Sequence, residues 1–399
     1  MQTFKITLIS TILMLTVSST VVSQEKDLNK NIRVIELSGN GYERGLQHGK
    51  LLKNEIADVY KKWKDDIALD SKKNPDSVLH QFYIKTNFEP AIKKWTPEIY
   101  DEVRGIAAGS GQSMQDVLCF QLVDEFWVYI DKLVNINKEH CSGIGVAATK
   151  SAPAYVAQNM DLETFRNGYQ ILLHISKNKM EPEQYILSCA GLVALNGVNS
   201  YGIAMAVNSL MQLNASDDGL PVAYIVRGVL AQRNEKQALK FLQNVKHASG
   251  QNYILGAGDN VYDFEASAAK VVRFTPISDN SSIVYHTNHP IVNDDVKPWH
   301  KKRLEKVLSG NTMKDNSLDR YQALKNRIDV ASISLSENTI KETLRSKDSE
   351  TNPVCVRYNK ERNVFTFSSV IFTLGKKPTI QITNGSPDQA EYSLHTFKE

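Results

Sequence analysis

Apolar positions recur at helical spacing through the first third of the chain and in short strand-like runs beyond it, and the change falls near Cys141. From Lys50 to about Asp131 apolar residues return every three or four positions, as in Leu51, Leu52, Ile56, Val59 and Tyr60, which is the period of a helix with one buried face. A short strand over Ile32–Leu37 precedes this region, and Gly39–Gly49 reads as a glycine-rich turn that runs into a helix. A second glycine-rich stretch, Gly105–Gly111, is expected to interrupt the helices. Ser113–Trp127 then reads as a further helix, with Ser113 as N-cap and Asp116 three residues on.

Beyond Cys141 the runs are short and biased towards β-branched and aromatic residues. Strands are expected at Ser142–Ala148, Ala154–Gln158, Tyr169–Ser176, Tyr185–Ala190, Ala194–Asn199 and Gly202–Asn208, and again at Tyr253–Gly256, Asp263–Ala266, Val271–Phe274 and Ile283–His286. Helices are expected at Val222–Gln232, Glu235–Val245, Pro298–Leu308 and Leu318–Ile328, and closing strands at Val354–Tyr358, Val364–Leu374 and Thr379–Thr383. Sheet, then helices, then sheet points to an α+β layered domain with two sheets and flanking helices. There is no internal repeat.

The first two dozen residues break the pattern. Lys5 is followed by a mostly apolar stretch, Ile6–Val22, and Val21-Val22-Ser23 precedes Gln24. This predicts a secretory signal peptide over residues 1–23, hence a secreted or periplasmic protein, with an uncleaved anchor as the alternative. Residues 24–140 then form a helical α segment and 141–399 a second segment. The composition of the 399 residues, with 42% apolar, 23% charged and a net charge of +3, is that of an ordinary globular chain, large enough to bury a core without staples. No basic cluster with interleaved aromatics suggests nucleic acid.

Four widely spaced cysteines do not make a disulfide framework. Cys119, Cys189 and Cys355 lie inside apolar runs and read as buried small hydrophobes. Cys141 differs, with His140 before it and Ser142-Gly143 after it at an element boundary. A hairpin from Ser142–Ala148 into Tyr155–Asp161 would return Asp161 to the thiol. A thiolate is the nucleophile. If the His140–Cys141 bond breaks, the new α-amine, with an ordinary pKa of about 8, can serve as its base. Asn208 and Asn288 end apolar strands, where an amide can donate to an oxyanion or simply make a turn. Asn199 fits a turn. His286 and His289 make a weak metal pair without a carboxylate or cysteine partner. Arg303 is either a solvated helix residue or a bidentate clamp. Arg44 and His48 lack the spacing of a phosphate loop.

Together these residues resemble the penicillin acyltransferase-like family of N-terminal-nucleophile cysteine hydrolases. The likeness rests on Tyr42-Glu43-Arg44-Gly45-Leu46-Gln47-His48-Gly49, Gly105-Ile106-Ala107-Ala108-Gly109, Cys141-Ser142-Gly143, Gln158-Asn159-Met160-Asp161, Gly219-Leu220-Pro221 and His286-Thr287-Asn288-His289. The resemblance implies a four-layer αββα fold and self-cleavage at His140–Cys141, with the α segment 24–140 retained as a partner. It implies Cys141 as nucleophile, Asp161 as the carboxylate beside it, Asn288 as oxyanion amide, Asn208 as a second asparagine and Arg303 as the arginine completing the site. At Gln158 related hydrolases commonly carry arginine, so their substrate preference does not transfer. The expected activity is that of a self-processing amidohydrolase or acyltransferase on a small-molecule linear amide, without cofactor or metal. A papain-like Cys–His hydrolase using His286 or His289, and a non-catalytic exported binding protein, are the alternatives.

Overall fold

The computed structural model describes residues 31–134, 141–276, 282–308, 316–331, 335–347 and 354–397. The predicted signal peptide and His140 lie outside the described residues. Among those residues no helix is long and apolar enough to cross a membrane.

The upstream segment begins with strand β1 (Arg33–Leu37) and continues as helices α1 (Gly41–Leu51), α2 (Lys53–Ser71), α3 (Pro75–Lys85), α4 (Glu89–Trp95), α5 (Pro97–Ser110), α6 (Met114–Gln121) and α7 (Val123–Val134). Helix α1 starts at a capping box in which Asn40 and Glu43 satisfy each other's backbone N–H. The Gly39–Gly49 stretch is therefore a bend at Gly39-Asn40 and helix from Gly41 on, and Gly105–Gly111 does not interrupt the helices, because α5 runs through to Ser110. The reason is tertiary. Gly41, Gly45 and Gly49 form one face of α1, Gly105 and Gly109 one face of α5, and the two faces touch backbone to backbone. A Cβ on Gly45 would fall 1.8 Å from the carbonyl oxygen of Glu102. The expected helix over Ser113–Trp127 is two helices that break at Leu122, and the Ser113 side chain caps the first by accepting from Asp116 N.

Beyond Cys141 lie strands β2 (Ser142–Val146), β3 (Tyr155–Glu163), β4 (Gln170–Ile175), β5 (Gln184–Cys189), β6 (Asn196–Asn199) and β7 (Ile203–Ser209), then helices α8 (Val222–Leu230) and α9 (Glu235–Asn244). Strands β8 (Gln251–Ala257), β9 (Asn260–Ala266), β10 (Val271–Phe274) and β11 (Ile283–His286) follow, then helices α10 (Pro298–Leu308), α11 (Asn316–Ala331) and α12 (Glu337–Leu344). Strands β12 (Val364–Thr373), β13 (Thr379–Ile382) and β14 (Ser393–Thr396) close the chain. An eight-stranded sheet runs in the order β1-β4-β5-β6-β7-β8-β9-β10 and a six-stranded sheet in the order β11-β2-β3-β12-β13-β14. The sheets face each other, with β2 and β3 against β7 and β8. Helix α8 covers the outer face of the larger sheet. Helices α11 and α12 cover the smaller one, where Leu324, Ile328, Ile340 and Leu344 pack on Ile144, Ala157 and Ile371. This is the αββα layering that the family resemblance implies.

The expected strand at Val354–Tyr358 is not one. Val356 instead bonds reciprocally to Thr366 beside an irregularity in the β12 register. Helix α12, whose buried face is only Ile340, Thr343 and Leu344, and the four-residue strand β14 are absent from the sequence reading.

The upstream segment is built into this body. Strand β1 pairs in parallel with β4 at the edge of the larger sheet. Glu102 of α5 accepts two bonds from Arg227 of α8, at 2.8 and 2.9 Å, and one from Arg44 of α1 at 3.1 Å, all three side chains being fully buried. Burial alone would raise the Glu102 carboxyl, but Arg227 and Arg44 hold it down at about 2. Gln121 bridges Gly191 O and Val193 N, and His48 accepts from Gly191 N at 3.0 Å. Burial drops the His48 imidazole to about 4, which keeps it neutral for that role. Arg44 and His48 are thus packing elements and form no phosphate loop.

Candidate active site

Cys141 immediately precedes β2. In the β2–β3 ladder Ser142 opposes Asn159, so Cys141 lies against Met160 and Asp161. Its Sγ is 3.7 Å from Met160 Sδ and 3.8 Å from the main-chain oxygen of Asp161. The hairpin therefore brings Asp161 back to the thiol. Both residues are buried and line one cavity of about 40 Å³, room for a few water molecules. Its other walls include Trp127, Leu162, Leu195 and Val222, with Asp124 of α7 at the same cavity. No histidine lines it among the described residues.

The electrostatics of this cavity are unusual. Burial pushes the Asp161 carboxyl up to about 7, while Thr366, its register partner, and Arg320 pull it down less strongly. Neither Asp161 oxygen has a well-formed hydrogen bond among the described residues. Burial also pushes the Cys141 thiol up, and the Asp161 charge adds to that. Asp124 stands at about 6 and Glu125 at about 7, each raised mainly by burial. Asp124 accepts from Gln251, and Glu125 from Ser249 and Val222 N; a buried carboxyl without such a bond, as in Asp161, is costly, and perturbed carboxyls cluster where proton transfer is useful.

The arginine that reaches Cys141 is Arg320 and not Arg303. Arg320 lies on the buried face of α11. Its Nη1 donates to the Cys141 carbonyl at 2.5 Å and to Ser142 Oγ at 3.0 Å, and its Nη2 donates to Asn288 Oδ1 at 2.9 Å. Arg303 is half-buried on α10, beside the exposed Lys301, Lys302 and Leu304. Position after Asn288 in sequence does not distinguish the two, but the face of the helix does. The available signal was the stripe Ser317, Arg320, Leu324 and Ile328, an arginine at helical spacing among apolar residues.

Asn288 follows β11 and is tied from every side. Its Nδ2 donates to Ser209 O at 3.0 Å, its backbone N–H to Ser317 Oγ at 2.7 Å, and its carbonyl accepts from Gln212 Nε2 at 2.9 Å. Ser209 lines the thiol cavity, so the Asn288 amide is anchored at the cavity's edge. Sequence reasoning did not single out Ser317 or Gln212.

Asn208 is turned elsewhere. Its Nδ2 donates to Asn252 Oδ1 at 2.8 Å and its Oδ1 accepts from Gln158 Nε2 at 3.3 Å. It packs against Gly143, where a Cβ would come within 3.1 Å of the Asn208 amide. Asn208 and Gln158 belong to a buried amide chain between the sheets that Asn196 extends, and neither is in the cavity lining. Asn199 makes a turn by accepting from Tyr201 N and Ile203 N. His286 and His289 are bonded to Glu265 and to Ser317, at 2.9 and 2.8 Å. All four cysteines are free and buried.

Residues 147–389 match the profile of the family described as acyl-coenzyme A:6-aminopenicillanic acid acyl-transferase. The chain belongs to this family. The matched span contains Asp161, Asn208, Asn288 and Arg320, and Cys141 stands just ahead of it. A curated relative, the acyl-coenzyme A:6-aminopenicillanic-acid-acyltransferase 40 kDa form of Emericella nidulans, is 23% identical over 287 residues, which is 69% of this chain and 77% of that protein. The protein dcd1A of Dictyostelium discoideum is 30% identical over 109 residues, 24% of this chain and 25% of that one. Among solved structures, the Caenorhabditis elegans ortholog of N-acylethanolamine-hydrolyzing acid amidase aligns at 17% identity and a TM-score of 0.41, covering 58% of this chain and 92% of that chain. Penicillin V acylase from Agrobacterium tumefaciens aligns at 15% identity and 0.40, covering 61% and 82%. Family membership supports a catalytic role of the hydrolase or acyltransferase kind.

Proposed function

We propose that the protein is a secreted, self-processing cysteine amidohydrolase or acyltransferase that acts on a linear amide with an apolar acyl group. The observation that carries this reading is that the Cys141 thiol and a buried Asp161 carboxyl with no well-formed hydrogen bond among the described residues line one cavity. Burial keeps the thiol protonated, so it needs a base, and no histidine lines its cavity. Cleavage of the His140–Cys141 bond supplies one.

In that processing step Sγ attacks the His140 carbonyl carbon, the C–N bond breaks, and the Cys141 nitrogen leaves as an amine carrying the thiol's proton. Water then hydrolyses the thioester and frees Sγ. The new α-amine lies next to Asp161, whose carboxylate gains the cationic partner it lacks. In turnover the amine takes the proton from Sγ as the sulfur attacks the substrate carbonyl. An amide nitrogen carries two hydrogens. The bond to Ser209 orients the Asn288 amide, and its second hydrogen serves the oxyanion. The amine of the substrate leaves with the relayed proton, and water or an acceptor amine releases the acyl group. The apolar lining of Trp127, Met160, Leu162 and Leu195 suits an apolar acyl chain. Strand β1 and the Glu102–Arg227 ion pair favour retention of the α segment after cleavage.

Intact mass and a denaturing gel of purified protein test this. Wild type is expected as two fragments, the second beginning at Cys141, and Cys141→Ala as one inactive chain. A wild type that is active as one uncut chain overturns the self-processing mechanism.

A further inference from the structure

Asn288 sits in the loop that follows β11, and one buried carboxylate closes that loop from both ends. Glu265 of β9 belongs to the larger sheet, whereas β11 belongs to the smaller one. Glu265 Oε1 meets His286 Nε2 at 2.9 Å and accepts from Ile291 N at 2.5 Å. Its Oε2 accepts from Val292 N at 3.1 Å and Asn293 N at 2.7 Å. Asn293 returns a bond from Nδ2 to the Glu265 main-chain carbonyl at 3.1 Å. Two residues before Asn288 and three to five residues after it, the chain is thus held by one side chain on the opposite sheet.

We propose that Glu265, through His286 and the backbone N–H groups of Ile291, Val292 and Asn293, is a positioning residue that fixes the Asn288 amide for the oxyanion. The inference rests on the reading of Cys141 as nucleophile and Asn288 as oxyanion donor. Neither Glu265 nor His286 lines the thiol cavity, so neither touches substrate. Both are fully buried, and a carboxylate in that position is kept only where its acceptor capacity is filled. Glu265 fills it with three backbone N–H groups and an imidazole. The imidazole Nδ1 lies 2.7 Å from the Thr287 carbonyl, so it donates there, and Nε2 donates to Glu265. Charge supports the pairing. Burial pulls His286 down, but Asp263 and Glu265 carry it above its ordinary value. Burial raises Glu265, but His286 and the loop N–H groups bring it below the usual carboxylate range.

Positioning matters because an oxyanion donor works only where the charge develops, and a displacement of about 1 Å can cost about 100-fold in rate. Ser317 and Gln212 hold the Asn288 backbone locally. Glu265 ties both flanks of the loop to the sheet that carries Ser209, the acceptor for the Asn288 side chain.

The test is the pre-steady-state acylation of processed, full-length enzyme by 4-nitrophenyl hexanoate, expressed per Cys141 acylated as counted by mass. For Glu265→Gln the acylation rate at saturating ester is expected to fall on the order of 10- to 100-fold, with the half-saturating concentration within about threefold of wild type. Asn288→Ala is expected to fall on the order of 100- to 1000-fold. The double variant should be no slower than Asn288→Ala by more than about twofold. His286→Gln provides the same cycle if Glu265→Gln yields no processed protein. A purely structural role would lower the amount of processed enzyme but not its rate per Cys141. Wild-type acylation rates for both Glu265→Gln and His286→Gln, or rate losses that multiply with Asn288→Ala, overturn the proposal. Failure of the underlying reading looks different: the ester leaves Cys141 unmodified in wild type, or Asn288→Ala acylates as fast as wild type.

Discussion

One guanidinium, that of Arg320, holds both the main-chain carbonyl of Cys141 and the side-chain oxygen of Asn288, at 2.5 and 2.9 Å. The thiol residue immediately precedes β2 and the asparagine follows the neighbouring β11, so Arg320 sets the spacing between the proposed nucleophile and the proposed oxyanion donor from a third element, α11. It also fixes the Asn288 amide the right way round, because an arginine can only donate and must face the oxygen.

Arg320→Lys keeps the charge but loses the planar fork. Its acylation rate is expected to fall on the order of 100-fold. Arg303→Ala is expected to leave the acylation rate unchanged, because Cys141 and Asn288 are held by Arg320. Acylation kinetics of the two variants side by side check this, and a larger rate loss in Arg303→Ala would reverse the assignment of the two arginines.

The pH dependence of the unprocessed chain reports on Asp161. An aspartate titrates near ~3.9 when unfolded, and burial raises Asp161 to about 7 in the fold. The native state holds the proton more tightly, so this group's stabilising contribution is complete below pH ~4 and is lost as pH rises through about 7. In the uncut Cys141→Ala background, adding Asp161→Asn should leave the thermal midpoint nearly unchanged at pH 4 and raise it at pH 8. An equal effect at both pH values would mean that burial does not hold Asp161 protonated in the folded chain.

Gly45 marks where α1 and α5 touch. Gly45→Ala places a methyl 1.8 Å from the Glu102 carbonyl oxygen, and the helices must move apart. The expected loss is on the order of 1–3 kcal/mol, as for overpacking in a filled core. A lower urea midpoint at unchanged slope would show it. A midpoint equal to wild type would mean that the two helices do not pack this closely.

Most strands and helices were legible because their periods are local: the 3.6-residue recurrence in α2 and the β-branched and aromatic residues of β4 and β12 depend on near neighbours in sequence. The hairpin that returns Asp161 to Cys141 was legible for the same reason. The glycine stretches misled because glycine ordinarily signals a turn, whereas here it permits contact between helices more than fifty residues apart in sequence. Arg320 and Glu265 were hidden because a charged residue has the same sequence signature on a wet face and in a filled polar site.

The sequence by itself determined most element types and the layered α+β class, carried by local period, and offered Cys141, Asp161, Asn208 and Asn288 as candidates through residue chemistry. The tertiary structure alone decided that Arg320 rather than Arg303 joins them, that Asn208 turns into an amide chain between the sheets, and that Glu265 spans the sheets to hold the Asn288 loop. Those assignments depend on which face of a helix or strand is buried against a distant partner. That is set by packing across the whole chain and leaves no mark at fixed spacing along it.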